Sequence, residues 1–475
     1  MSHSKRFLKS SIVFFIGNVL SKLVSVLMLP IFTSYIEKSD MGYFDYSTNM
    51  VIFFATIVFL NIWAVILRYM YDYSGSNNES KAISNGFMIF LISFSVYTIL
   101  QAIIRYFINI DHAILIYLFG VMTILHYIYG NIARGFGYNK LYAMSGVVSS
   151  LVSMSSNVFF IFFTSLRIES LYLSVIFGYA VQLFIIELKV GVVRRFRLSE
   201  LDFSLFKELI KFCAPLSISN ISNWFLLGFG RYAIISHDRF GLAANGLYST
   251  AGRFSGLLSL ITSSFILAWQ DLAFSQGEEE KDKENSLYNR AIQNYLSFLA
   301  LGIPLGILFI AIVFPLLINK QYSGAYQLIP LLFTATGASV FVDFFNQIFV
   351  ALKRTRDSMV VYIVGAITNV GMVYLLLPNI GLQGVSLALL IANLVMISTQ
   401  LLLANRVTKI NLFTRELFTG ILTIAGSIVI FLAGNKLMIL ICLLLISTFY
   451  LILYRMRIKG LLKLMLSKRG TGHNN

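Results

Sequence analysis

Four ionisable side chains interrupt long hydrophobic runs: Lys22, Arg231, Arg253 and Asp343. A charge at the centre of a membrane-spanning helix costs about 2.5–3.5 kcal/mol on insertion scales, so such a group faces a wet cavity or a partner. Lys22 shares a helix face with Asn18 and Ser25, at spacings of four and three residues, which makes a polar stripe. Arg253 shares its face with Ser249 and Gly256. Arg231 follows the polar run SISNISNW, which places Asn220 and Asn223 on the same segment, and it lies six residues from His237, within snorkelling reach of an interface. Asp343 precedes Lys353 and Arg354, and reads either as half of a structural ion pair or as a coupling-ion or gating site. Three cations against one acid give the interior a positive potential, which favours an anionic cargo.

Other chemistries find little support. The five histidines have no metal-ligand spacing, and both cysteines, Cys213 and Cys442, fall in apolar runs, so neither a metal site nor a disulfide is expected. The two GFG triplets, at Gly135 and Gly228, belong to no phosphate-binding loop and read as packing or bending sites. No acid–base or nucleophile constellation is visible, so the chain reads as a transporter rather than an enzyme, without cofactor or metal.

The elements that carry these charges follow from composition. With 57% hydrophobic, 15% aromatic and only 12% charged residues, the 475-residue chain lies outside the soluble range. Fourteen apolar runs are each long enough to cross a hydrocarbon core of roughly 30 Å. They cover residues 12–35, 48–68, 83–104, 113–133, 141–164, 169–189, 210–235, 243–268, 290–318, 325–350, 358–377, 382–404, 414–433 and 436–454. Runs this long satisfy their own backbone hydrogen bonds as helices, so the fold class is an all-α polytopic membrane protein. The first run lacks a cleavage site and is expected to be retained.

The net charge of +16 is distributed as a topology signal rather than as a nucleic-acid footprint. With the N-terminus inside, 28 of the 37 Lys and Arg fall on the cytoplasmic side, and the outer loops receive only Lys38, Arg105, Arg167, Arg239, Lys320 and Lys436. Both termini are thus expected in the cytoplasm, with the basic tail at the anionic inner leaflet.

A weak repeat organises the chain. Lys9 to Asp40 and Lys207 to Asp238 have the same separation around runs 1 and 7, and FLNIW ending at Trp63 is matched by FILAW ending at Trp269. Two six-helix halves of like orientation imply a pseudo-two-fold axis along the membrane normal with the transport path between them. The expected parts are an N-terminal lobe over 1–190, an amphipathic cytoplasmic connector over 191–209, a C-terminal lobe over 210–405, and two further helices with a basic tail over 406–475. The connector is expected to turn Phe203, Phe206 and Leu209 to the interface and Lys207 to water.

The stretches SKLVSVLMLPIFTSYIEKSDMGYFDY, LIKFCAPLSISNISNWFLLGFGRYAII, AANGLYSTAGRF and GLQGVSLALLIANL resemble those of bacterial polysaccharide-biosynthesis transporters, the O-antigen or lipid-linked oligosaccharide flippases. These belong to the superfamily that also holds multidrug and toxin extrusion proteins and the lipid II flippase. The resemblance implies a V of two six-helix lobes with alternating access in the bacterial inner membrane. Its implied cargo is an undecaprenyl-pyrophosphate-linked sugar unit for O-antigen, lipopolysaccharide or a similar surface polysaccharide. Membrane lipids, a polysaccharide polymerase or glycosyltransferases are the candidate partners. Many relatives carry an Asp–Arg pair where this chain has Gly230 and Arg231, so Arg231 lacks its usual neighbour, which either leaves it free for an anion or removes a structural pair. On this reading Lys22, Arg231 and Arg253 receive the pyrophosphate, and Asn18, Asn220 and Asn223 hydrogen-bond sugars.

The alternatives are an ion-coupled antiporter of small or multidrug solutes, which the basic interior disfavours for cationic drugs, and a non-transporting scaffold for polysaccharide assembly, which leaves Lys22 and Arg253 unexplained. Cysteine labelling checks the topology: positions beside Arg195, Arg354 and Lys459 should react only from the cytoplasm, and positions beside Asp40 and Lys320 only from outside. Labelling of Arg354 and Lys320 neighbours from one side would overturn the helix count.

Overall fold

The computed structural model describes residues 27–72, 79–274, 281–352, 354–405, 410, 412 and 415–453, and within them the apolar runs are largely helical. In chain order the helices are α1 (Leu29–Tyr35), α2 (Lys38–Val58), α3 (Ile62–Asp72), α4 (Glu79–Phe107), α5 (Ala113–Gly135), α6 (Asn139–Phe163) and α7 (Ile168–Val190). There follow the short α8 (Val192–Arg195), α9 (Phe203–Leu227), α10 (Phe229–Ser236), α11 (Gly241–Phe274) and α12 (Lys281–Leu317). The last five are α13 (Ile329–Ala351), α14 (Thr355–Ile380), α15 (Leu382–Ala404), α16 (Arg415–Ala433) and α17 (Lys436–Leu453), and the described residues contain no strand. Eight helices among the described residues are long and apolar enough to cross a membrane, or nine if the bent pair α2–α3 is one span. The helices carrying most of the candidate site, α9 and α11, are not among those eight.

Large apolar side chains face outward. Phe163, Leu188, Leu402 and Leu422 are 72–76% exposed, a surface that suits lipid and not water. The chain is a multi-pass membrane protein. Inside, the buried apolar residues form one large cluster from residues 226–439 joined by residues of the N-terminal half such as Met28, Leu29, Phe32, Met41 and Ile161, a second from residues 55–213, and a small third of Val51, Ile116, Phe119, Ile168 and Tyr172. The second takes in Leu205, Leu209 and Cys213, so the first turns of α9 pack with helices that precede it. Residues 203–209 are therefore part of α9 rather than a separate connector helix. Leu205 and Leu209 are its buried side, whereas Phe203 is exposed, with the Lys207 ammonium 4.7 Å from its ring.

The helical ladder is interrupted at two places that bear on the site. Between α2 and α3 the axis bends by 54°, with Leu60 and Asn61 in the left-handed region at φ 51° and 57°. Between α9 and α10 the ladder stops at Gly228. The freed carbonyls there are satisfied from elsewhere: Asn369 of α14 donates to Phe225 and Leu226 at 3.0 Å each, and the Arg231 guanidinium donates to Leu227 at 2.8 Å.

Glycine lets α2 and α11 approach closely. A β-carbon on Gly42 of α2 would stand 1.9 Å from the carbonyl of Leu242, and one on Gly246 of α11 would stand 2.0 Å from the carbonyl of Lys38. Lipid gives no hydrophobic drive between helices, so close backbone approach supplies the packing. Gly42→Val should therefore force α2 and α11 apart and destabilise this conformation by about 1–3 kcal/mol, read as a lower thermal-unfolding temperature in detergent. An unchanged transition would show that the contact is not part of the resting state.

Candidate functional site

α2 begins with twelve largely polar residues, KSDMGYFDYSTN, before its apolar half. Asp45, Asn49 and Phe53 recur every four residues and so share one face, which meets α9 and α10. The Arg231 guanidinium donates from Nε to Asp45 Oδ2 at 2.6 Å, and both side chains are 22% exposed. Asn245 of α11 donates to the Gly42 carbonyl at 2.8 Å and reaches Asp45 Oδ2 at 3.5 Å. The guanidinium also lies 6.0 Å from the Tyr248 ring. The acid that the sequence lacks at position 230, beside Arg231, thus comes from α2, 186 residues earlier.

Arg253 is placed differently. At the thirteenth position of α11 it lies about 18 Å along the helix from Gly241. It has no carboxylate within ion-pair distance among the described residues; its guanidinium meets the Met41 sulfur at 3.3 Å and the Phe32 ring at 5.2 Å. It lines a cavity of about 370 Å³ whose far wall carries the hydroxyls of Ser149, Ser150, Ser153 and Ser174 with Tyr179. Ser150 and Ser174 donate to the Gly146 and Leu171 carbonyls, so an anion here would take charge-assisted bonds from Arg253 and neutral ones from Ser149 and Ser153.

Asn220 and Asn223 line a second cavity, of about 350 Å³, with Asn49, Thr56, Asn61 and Trp63. The structure thus brings these two asparagines together, away from the lining of the Arg253 cavity. Lys22 and Asn18 lie outside the described residues. Asp343 accepts a hydrogen bond from the Tyr362 hydroxyl at 2.8 Å, while Arg354 pairs with Asp357 one turn further on. Its observed partner is therefore a neutral hydroxyl of α14.

Sequence reasoning missed Asp45, Asn49, Asn61 and the serine row of α6. Asp45 sits in a stretch polar enough to read as a loop, and SGVVSSLVSMSSN carried a signal, serines three and four apart on one face, that went unused.

The sequence profile of a family described as polysaccharide biosynthesis protein matches residues 7–269, more than half of the chain. No curated protein matches the sequence. Among solved structures, the lipid II flippase MurJ in an inward closed conformation has a TM-score of 0.71 at 14% identity, over 95% of this chain and 100% of its own. An inward-facing multidrug resistance transporter of the MATE family has a TM-score of 0.65 at 14% identity, over 88% and 98%. A MOP-superfamily transporter from Pyrococcus furiosus has a TM-score of 0.59 at 16% identity, over 88% and 96%. At these identities the likeness establishes the fold alone, the one that these transporters share.

The Asp45–Arg231 pair predicts a strong thermodynamic coupling. Asp45→Asn and Arg231→Gln should each destabilise the protein, and the double variant should lose less than the sum, with a coupling of about 1–3 kcal/mol in unfolding measurements. Additive losses would show that the two side chains do not act together.

Proposed function

The chain belongs to the polysaccharide biosynthesis protein family, and from that premise we propose that it moves an undecaprenyl-pyrophosphate-linked oligosaccharide between the leaflets of the bacterial cytoplasmic membrane. The observation that carries this reading is Arg253: a cation deep in a helix, without a carboxylate partner among the described residues, on the wall of a partly apolar cavity that also carries four serines, Asn157 and Tyr179. A stranded intramembrane charge is costly, and an anionic headgroup is the cargo that offsets the cost. Pyrophosphate offers Arg253 bidentate acceptors and the serine hydroxyls further ones. Lys22 joins it as a compact point charge, and Asn18, Asn220 and Asn223 serve the sugars. Sugar hydroxyls and pyrophosphate cannot cross hydrocarbon without losing their water, so the protein supplies the polar route while the polyprenyl tail stays in lipid.

The remaining parts of the site act as gates. With both termini in the cytoplasm, the α2–α11 contact and the Asp45–Arg231 pair close the outer end of the path between the N-terminal and C-terminal lobes. Release outward requires that pair to break and the glycine contact to part, an alternating-access step with two discrete packings. Asp343 and Tyr362, within the C-terminal lobe, hold a coupling or gating position. The cargo is an O-antigen or similar surface-polysaccharide repeat unit, and the direction is from the inner to the outer leaflet.

Purified protein in proteoliposomes, with labelled lipid-linked oligosaccharide in one leaflet, tests this. Arg253→Ala and Lys22→Ala should each slow transfer roughly tenfold or more, the loss of about 1.4 kcal/mol of charge-assisted binding, with membrane insertion intact. Full transfer by the double variant would reject the cationic route.

A further inference from the structure

The second cavity holds more than the asparagines that mark it. Trp63 stands at the start of α3, its ring 5.2 Å from that of Tyr127 on α5, and both line the space. The Trp224 indole on the opposite side is fixed twice: it donates from Nε1 to Asn49 Oδ1 at 2.6 Å, and it lies 4.1 Å from the Phe53 ring. The polar lining consists of Asn49, Thr56, Asn61, Thr123, Asn220 and Asn223, and no Lys, Arg, Asp or Glu is among the described residues that line it.

The backbone break is what builds this wall. Leu60 and Asn61 hold left-handed backbone, uncommon for an asparagine and more so for a leucine. Residues kept in sparsely populated conformations cluster at ligand sites because the surrounding structure must hold them there. Here the break ends α2 and restarts the helix as α3, and it leaves the 8%-exposed Asn61 and the ring of Trp63 on the cavity wall.

Aromatic faces and neutral amides, without charge, match one class of ligand. A pyranose has an apolar C–H face that packs on an indole or phenol ring, and an edge of hydroxyls that amides bond as both donor and acceptor. A carboxylate brought into the same space would meet no cation and would lose its hydration uncompensated. We propose that this cavity is a subsite for an uncharged pyranose, a neutral hexose or an N-acetylhexosamine, of the cargo whose pyrophosphate is held at Arg253. The inference rests on the reading given under Proposed function. The placement suits such a cargo: Phe44 of α2 lines the first cavity and Asn49, five residues on, lines the second, a rise of about 7.5 Å.

The test uses the full chain in nanodiscs with three probes: di-N-acetylchitobiose, digalacturonate and inorganic pyrophosphate. The sugars are followed by saturation-transfer NMR and pyrophosphate by phosphorus NMR. Di-N-acetylchitobiose should bind and digalacturonate should not. Trp63→Ala should weaken the neutral sugar roughly tenfold, Trp63→Phe should retain most of the binding, and neither should change pyrophosphate binding, which Arg253→Ala should abolish. Equal binding of digalacturonate, or neutral-sugar binding indifferent to Trp63→Ala, would overturn the subsite while leaving the pyrophosphate reading intact. Sugar binding that depends on Trp63, with no pyrophosphate binding in the parent protein, would sustain the subsite and overturn the pyrophosphate reading. If Trp63→Ala does not fold, Asn223→Ala at its half-buried wall position carries the same expectation and the same overturning result.

Discussion

Every charge inside a hydrocarbon slab must be paired or kept wet, and the two described arginines of the path meet that constraint in opposite ways. Arg231 is paired by Asp45 at 2.6 Å and donates from Nη1 to a helix break, at the Leu227 carbonyl. Arg253 meets a ring face, a thioether and a cavity. The first arrangement is satisfied within the protein and suits a structural or gating part. The second is satisfied only when something polar occupies the cavity, which suits a binding part.

The same constraint explains the backbone. A broken transmembrane helix exposes carbonyls that lipid cannot satisfy, so breaks are tolerated only where protein or a cavity serves them. At α9–α10 the service comes from Asn369 and Arg231, which ties the end of α9 to α14 and, through Arg231 and Asp45, the start of α10 to α2. At α2–α3 the break opens onto the amide- and indole-lined cavity. Packed interfaces of this kind switch between discrete arrangements rather than deform smoothly. The glycine-to-carbonyl approach between α2 and α11 is one such arrangement, since parting it moves Asp45 relative to Arg231 and the walls around Arg253 together.

Helix positions were legible because long apolar runs leave the backbone no other way to satisfy itself, and the limits 382–404 of the twelfth run match α15 as drawn from the sequence. The start of α2 was not legible: its polar turns lie against other helices and not lipid, so hydropathy placed the span ten residues late and left Asp45 in a loop. Its pairing with Arg231 was hidden for the same reason. The α2–α3 break has no glycine or proline to announce it, only Leu60 and Asn61 in left-handed backbone imposed by tertiary packing. FLNIW, read as a repeat partner of FILAW, lies at this break, whereas FILAW lies within the continuous α11. Asn220 and Asn223 were legible as polar residues of a span; that they belong with Trp63 and Tyr127 rather than with Arg253 required the fold.

The central claim is that Arg253 faces a water-filled space that takes a pyrophosphate. It is tested most directly by keeping Arg253 and placing a cysteine beside it on the wall of the same cavity, Ser150→Cys, in a background with Cys213 and Cys442 replaced, and measuring its reaction with a charged thiol reagent in the assembled protein. The account predicts reaction in the resting protein, slowed by a polyprenyl-pyrophosphate-linked sugar that competes for the cavity. A thiol that stays unreactive, or one whose rate is indifferent to the lipid-linked sugar, would contradict it.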